Sequence, residues 1–140
     1  MKLAVIGSRG FNNYPLMEGH LSKYNPTHIV SGGAQGADKL AELYAVRHGI
    51  ETIVYKPDWT VGRHAGVLRN MQIVDSADCI IAFWDGKSKG TKHTIDYANK
   101  KRIPVNVVIF FQVVCQVGRC LIVFVARSDV TIDNLVYLVR

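Results

Sequence analysis

Cysteine is scarce: the 140 residues hold three, Cys79, Cys115 and Cys120, all in or beside apolar runs and none in C-x-x-C spacing. That spacing is what a zinc or dithiol redox site needs, so the three read as buried free thiols, which pack as small hydrophobes. Aromatic residues make up only 9%, and no series of exposed aromatics and cations is visible for stacking successive bases. Acidic residues are outnumbered, 11 against 17 Lys and Arg, which leaves a net charge of +6. No basic-then-apolar leader precedes the strand-like "KLAVIG", so a cytoplasmic location is the expectation. The glycine-rich "SGGAQGAD" does not end in G-K-[ST], which argues against a P-loop there.

What is present is enough apolar material for one domain, 49% of the residues, at a length that buries a core of its own. Short apolar runs ("KLAVI", "HIVS", "ETIVY", "DCIIAF", "IPVNVVIF") alternate with helix-period segments ("PLMEGHLSKY", "GADKLAELYAVRH", "AGVLRNMQIVDS", "GTKHTIDYANKK"). Near-continuous apolar strands alternating with helices predict an α/β domain, Rossmann-like and three-layered, with a mostly parallel sheet, over residues 1–109. Gly49 reads as a helix C-cap, Pro15 as part of a first helical turn and Pro104 as a strand start.

Residues 110–140 depart from this pattern. With Val107 to Ile109 they reach membrane-spanning length, but Gln112, Gln116 and Arg119 interrupt the run, and an arginine near a bilayer centre costs about 3 kcal/mol. The expectation is no membrane partner and an extension of mostly β structure: a long strand, a turn at Gly118, then "CLIVFVA" and a short amphipathic element. Packed on the sheet or at an oligomer interface, it would cover an apolar edge that otherwise invites aggregation; a homo-oligomer is expected.

Ligands of such sheets bind beyond the strand carboxyl ends, where four loops carry unusual compositions. In "GSRGF", Gly7 permits close backbone approach, Ser8 offers a hydroxyl and Arg9 a planar fork for phosphate. "SGGAQGAD" places Ser31, Gly32, Gly33, Gly36 and Asp38 before a helix whose free N–H groups and dipole favour an anion. Against the dinucleotide fingerprint, Ser31 holds the first glycine position, and neither Asp58 nor Glu51 is well placed as the ribose acid. "KPDWTVGRHAGVLRN" brings Trp59, His64, Arg69 and Asn70. Val67, Leu68, Met71 and Val74 form an apolar stripe there, with Arg69 and Asn70 off that face. Trp59 reads either as a base-stacking side chain or as a core cap, and His64 as a helix-start residue rather than a general base. "SKGT" supplies Ser88, Lys89, Gly90 and Thr91, a second anion site. Residues 61–109 carry eight Lys and Arg against four Asp and Glu, a bias suited to a phosphate-bearing ligand or a nucleic-acid backbone.

The set "GSRGF", "SGGAQGAD", "AGVLRN", "ADCIIAFWDG" and "SKGT" resembles the SLOG superfamily, in its small YspA/YpsA-related branch, over about Met1 to Val108. The resemblance implies a Rossmannoid domain that binds nucleotides or nucleotide-derived ligands. Two related groups imply different functions. LOG phosphoribohydrolases split nucleoside monophosphates with an arginine, matched by Arg69, and a glutamate in P-G-G-x-G-T-x-x-E. Here Thr94 stands at the glutamate position, and Ser88 and Lys89 where P-G would be. Asp96 is turned about 200° away on a helix. Threonine is no carboxylate base, so hydrolysis would need Asp85 or Asp38. The DNA-processing protein DprA resembles the chain at "GSR", "SGGAQGAD" and "RN" and implies single-stranded DNA binding. Three expectations result: nucleotide binding first, then a nucleotide N-glycosidase with Arg69 catalytic, then a single-strand binder. No cofactor or metal cluster is evident, although a Mg²⁺ ion on a bound phosphate is compatible with these residues.

Overall fold

Two-residue alternation along the strands sorts the apolar side chains into two cores, and the sheet lies between them. The computed structural model describes residues 1–111 and 124–125. In chain order the elements are β1 (Lys2–Gly7), α1 (Tyr14–Leu21), β2 (His28–Ser31), α2 (Ala37–His48), β3 (Glu51–Val54), α3 (Ala65–Ser76), β4 (Cys79–Trp84), α4 (Lys89–Lys100), β5 (Val105–Phe111) and β6 (Phe124–Val125). A 3₁₀ turn, Trp59–Val61, precedes α3. The sheet order is β3-β2-β1-β4-β5-β6; the first five strands are parallel, and β6 pairs antiparallel with β5. This is the three-layer, Rossmann-like α/β architecture expected from the sequence.

Leu3, Val5, Ile29, Ile81, Phe83, Val108 and Phe110 meet Met17 and Leu21 of α1 and Ala37, Ala41 and Ala45 of α2. The alternate strand residues Ala4, Ile6, Val30, Ile80 and Ala82 meet Ile73 and Val74 of α3 and Ile95 and Ala98 of α4. In the first core Phe11 stacks on Phe83, ring centroids 4.6 Å apart, and meets Phe110 edge-on at 5.0 Å.

Helix ends follow local chemistry. Asn13 Oδ1 accepts the Leu16 N–H at 3.1 Å ahead of α1, and Pro15 stands in the first turn. Gly49 ends α2 at φ 64°, ψ 32°. A Cβ there would meet nothing within 4 Å, so Gly49→Ala should cost only the backbone term, about 1 kcal/mol. Thermal denaturation checks this; a loss of several kcal/mol would show that the cap does more than turn the chain.

The face of α3 differs from the expected stripe. Val67 and Leu68 are exposed, whereas Ala65, Ile73, Val74 and, after the helix, Ala77 are buried. Arg69, four residues past Ala65 and four before Ile73, and Asn70, three before Ile73 and four before Val74, therefore share the inward face. Helical neighbours at i+4 and i+3 lie one above another, and here the stripe admits polar residues because they have partners inside.

The "CLIVFVA" segment expected as a strand contains β6, which adds to the sheet edge beside β5. The Gly118 turn, the rest of the extension and the amphipathic element lie outside the described residues. No helix among the described residues is long and apolar enough to cross a membrane.

Candidate functional site

The chain runs outward from β1 to β3 on one side and from β4 to β6 on the other, so the strand order reverses between β1 and β4. At such a point the flanking connections diverge to opposite faces and leave a crevice at the carboxyl ends. Here that crevice is a cleft of about 390 Å³. Ile6 and Ile73 supply apolar lining; Ser8, Arg9, Asp38, Arg69, Asn70, Asp85, Ser88, Thr91 and Thr94 supply the polar part.

Close backbone packing builds the walls. The Ser8 N–H donates to the Phe83 carbonyl at 2.9 Å, and the Asp85 N–H donates to Ser8 Oγ at 3.2 Å, which fastens the loop after β1 to the loop after β4. Gly36, at φ +84°, lets α2 begin against the first loop: a Cβ there would lie 2.5 Å from the carbonyl oxygens of both Ser8 and Arg9. A Cβ at Gly32 would collide with the Arg69 guanidinium. The bare backbone of "SGGAQGAD" thus serves loop-to-loop packing and the insertion of an arginine.

Arg69 holds the two halves of the site together. Its Nη1 donates to the Gly32 carbonyl, and its Nε donates to Asn70 Oδ1 at 2.9 Å. Burial draws the guanidinium below its ordinary pKa; nearby Asp38 opposes this and Arg9 adds to it. Asp38, 6% exposed, accepts the Ala34 N–H on Oδ2 at 3.1 Å. Burial pushes its carboxyl up to about 6, against the Ala34 N–H and the Arg69 charge, which favour the anion.

Asp85 behaves in the opposite sense. Partial burial disfavours its charge, but Oδ1 accepts the N–H groups of Ser88 at 2.7 Å and Lys87 at 2.9 Å, and these hold the carboxyl below its ordinary value. This turn delivers the chain into α4. No side-chain cap bonds the first N–H groups of α4, and the Ser88 and Thr91 hydroxyls lie 3.2 Å apart at its start. Those amides, without helical partners, and the helix dipole present positive potential to the cleft.

Residues 1–62 match the YspA, cpYpsA-related SLOG family. The Gene 61 protein of Mycobacterium phage D29 is 40% identical over 93 residues, 61% of this chain and 74% of the phage protein. The chain belongs to the YspA, cpYpsA-related SLOG family. Among solved structures, DNA processing protein A from Helicobacter pylori, which has a single-stranded DNA binding mode, shares the fold with a TM-score of 0.59 at 23% identity. The match covers 76% of this chain and 64% of that protein, so the chain spans less than two thirds of its length.

In this SLOG domain the cleft collects Gly7, Ser8, Arg9, Asp38, Arg69, Asn70, Ser88, Gly90 and Thr91 from the sequence-predicted set. Ser31, Gly32, Gly33, Gly36, Trp59 and Lys89 are not in its lining. Ser31 is fully buried, donates to Glu42 Oε1 at 3.0 Å and accepts the Gly33 N–H at 3.1 Å, so it braces its own loop. Gly33 backs onto Val54 of β3. Trp59 is 64% exposed on its 3₁₀ turn and caps no core. Lys89 opens α4 as an exposed cation. His64 stands at the N-cap of α3, the helix-start role expected of it.

The cleft also contains Ile6, Gly10, Ala34, Ile73, Asp85 and Thr94, which the expected binding set omitted. The "DGKS" turn was the available signal for Asp85, since aspartate before glycine commonly accepts backbone N–H groups two and three residues on. Thr94 Oγ1 donates to the Gly90 carbonyl at 2.9 Å, and Asp96 is exposed and paired with Lys92 at 2.8 Å. Among the described residues no three His, Cys, Asp or Glu side chains gather as a metal site.

Proposed function

We propose that this domain binds a nucleotide or nucleotide-derived small molecule in the cleft between β1 and β4. The observation that carries the reading is the polarity of that cleft. Two arginines, four hydroxyls and the uncapped start of α4 converge on one volume, with Ile6 and Ile73 as its apolar part. A phosphate suits the first group, through charge and donated hydrogen bonds, and a nucleoside suits the second. Arg9, exposed at the rim, balances phosphate charge, while Arg69 orders the walls and adds its field from inside.

Binding is favoured over hydrolysis of the ligand. At the position where a LOG-type glutamate would stand, Thr94 spends its hydroxyl on the Gly90 carbonyl, and Asp96 is engaged outside the cleft. A second reading, single-stranded nucleic acid, draws on exposed Trp59 and the basic segment around it, a stacking surface beside cations. Likeness in fold to DNA processing protein A, a protein with a single-stranded DNA binding mode, supports that reading.

The test is a thermal-shift panel of nucleoside mono-, di- and triphosphates, ADP-ribose, NAD and a short single-stranded oligonucleotide, each mixture then assayed for free base. A ligand at a hundred times its Kd stabilises the fold by about 2.7 kcal/mol, a rise of several degrees. One intact nucleotide giving that shift is the expected result. Release of base restores the glycosidase reading, and a shift with the oligonucleotide alone, falling steeply with salt, moves the function to the basic surface. Arg9→Ala should weaken nucleotide binding about fivefold, as befits one exposed charge-assisted contact; titration calorimetry measures it.

A further inference from the structure

Asp38 is the one cleft residue whose charge opposes the proposed ligand from a buried position. Asp38 lines the cavity, yet takes part in none of the ion pairs among the described residues. The neighbouring cation is committed elsewhere, with Arg69 donating to Gly32 and Asn70. An ionised carboxylate held there would face a phosphate across a partly dehydrated space, where like charges repel strongly.

We propose that Asp38 is a proton-carrying ligand contact: as an anionic ligand enters the cleft, the carboxylate takes up one proton from solvent and donates it in a hydrogen bond to the ligand. This rests on the nucleotide reading above and specifies how the site meets a negative charge. A carboxylic acid differs from a carboxylate in being both donor and acceptor, so one proton turns a repulsive group into a binding one. The Oδ2 bond from the Ala34 N–H fixes the carboxyl in place, and the start of α2 around it is packed through Gly36 against the first loop.

The surrounding charges set the titration. Arg69 from α3 favours the anion, and Glu42, one turn further along α2, favours the acid. Arg9 after β1 acts on Arg69, and Asp85 after β4 lines the same cleft. Lys56, after β3, approaches the Gly33 side of the loop, while β1 meets α2 through apolar residues and β2 adds the uncharged Ser31 hydroxyl, which donates to Glu42 Oε1. Burial already raises the Asp38 carboxyl to about 6, so that it is charged at pH 7.5 without ligand; a phosphate placed beside it moves the carboxyl higher still.

The experiment is titration calorimetry of the whole chain with AMP at about pH 7.5, in buffers of different ionisation enthalpy, for the wild type and Asp38→Asn. The wild type should take up about one proton more than the variant, and its affinity should fall by up to tenfold from pH 7 to pH 8, against a nearly flat profile for the amide. Equal proton uptake or equal pH slopes overturn the proposal. AMP binding to the wild type without proton uptake removes this inference and leaves the nucleotide site standing; failure of AMP and of every other panel nucleotide to bind at any pH removes both. Should the asparagine variant fail to fold, the wild-type buffer series decides alone.

Discussion

Gly36→Ala is expected to destabilise the domain by about 3 kcal/mol or more and to abolish ligand binding. Its φ of +84° with ψ −126° belongs to a region that side chains essentially do not enter, a cost of about 1–3 kcal/mol by itself. The added Cβ would sit 2.5 Å from two main-chain oxygens, those of Ser8 and Arg9, and neither is the end of a flexible side chain. The loops must part, which separates Ser8 from α2 and opens the cleft. For a chain of this size the melting temperature should drop by about 10 °C, measured by calorimetry beside Gly49→Ala. A drop no larger than that of the Gly49 variant would mean that the two loops are not packed as described.

The second large effect is expected at Arg69. Arg69→Ala should weaken nucleotide affinity about a hundredfold, since it removes a half-buried cation and leaves the Gly32 carbonyl and Asn70 Oδ1 without their donors. Arg69→Lys should recover only a minor part. An ammonium carries the charge, but it cannot reproduce a planar fork that bonds in two directions at once. Direct titration with AMP and the other panel nucleotides measures the loss. Melting of the empty protein separates the structural share, expected at about 1–3 kcal/mol. Unchanged affinity in the alanine variant would place the ligand somewhere other than this cleft.

The elements were readable because their signals are local. "AGVLRNMQIVDS" is α3 residue for residue, and Gly49 took the left-handed cap that its place after "AVRH" demands. The end of α4 gave no such sign: Arg102 adopts φ 59° there, a conformation its identity does not suggest. The inward face of α3 was misread for a related reason. Periodicity marks a buried face through apolar residues, and it fails where a polar side chain turns inward toward a partner distant in sequence. Arg69 and Gly32 are 37 positions apart. The glycines of "SGGAQGAD" announced a close approach without naming what approaches. An anion, the Ser8 and Arg9 main chain and an arginine side chain all need the same missing Cβ. Asp85 and Asp38 show the limit for titration, since one aspartate is held low by the amides of its own turn and the other is pushed up by burial that only the folded chain creates.

The alternation along β1 has a consequence for how this domain can change over generations. Leu3 and Val5 belong to one core, Ala4 and Ile6 to the other, and Ile6 also lines the cleft. β1 is hydrogen-bonded on both sides, to β2 and β4. Gaining or losing one residue here would exchange the two sets, driving leucine- and valine-sized groups into spaces fitted to alanine and isoleucine and lifting the hydrophobic wall out of the binding cavity. Drift in this segment is therefore confined to swaps of similar volume. Changes of length are tolerated only in the connections, and the spacing from Lys2 to Gly7 behaves as a reading frame that inheritance must preserve.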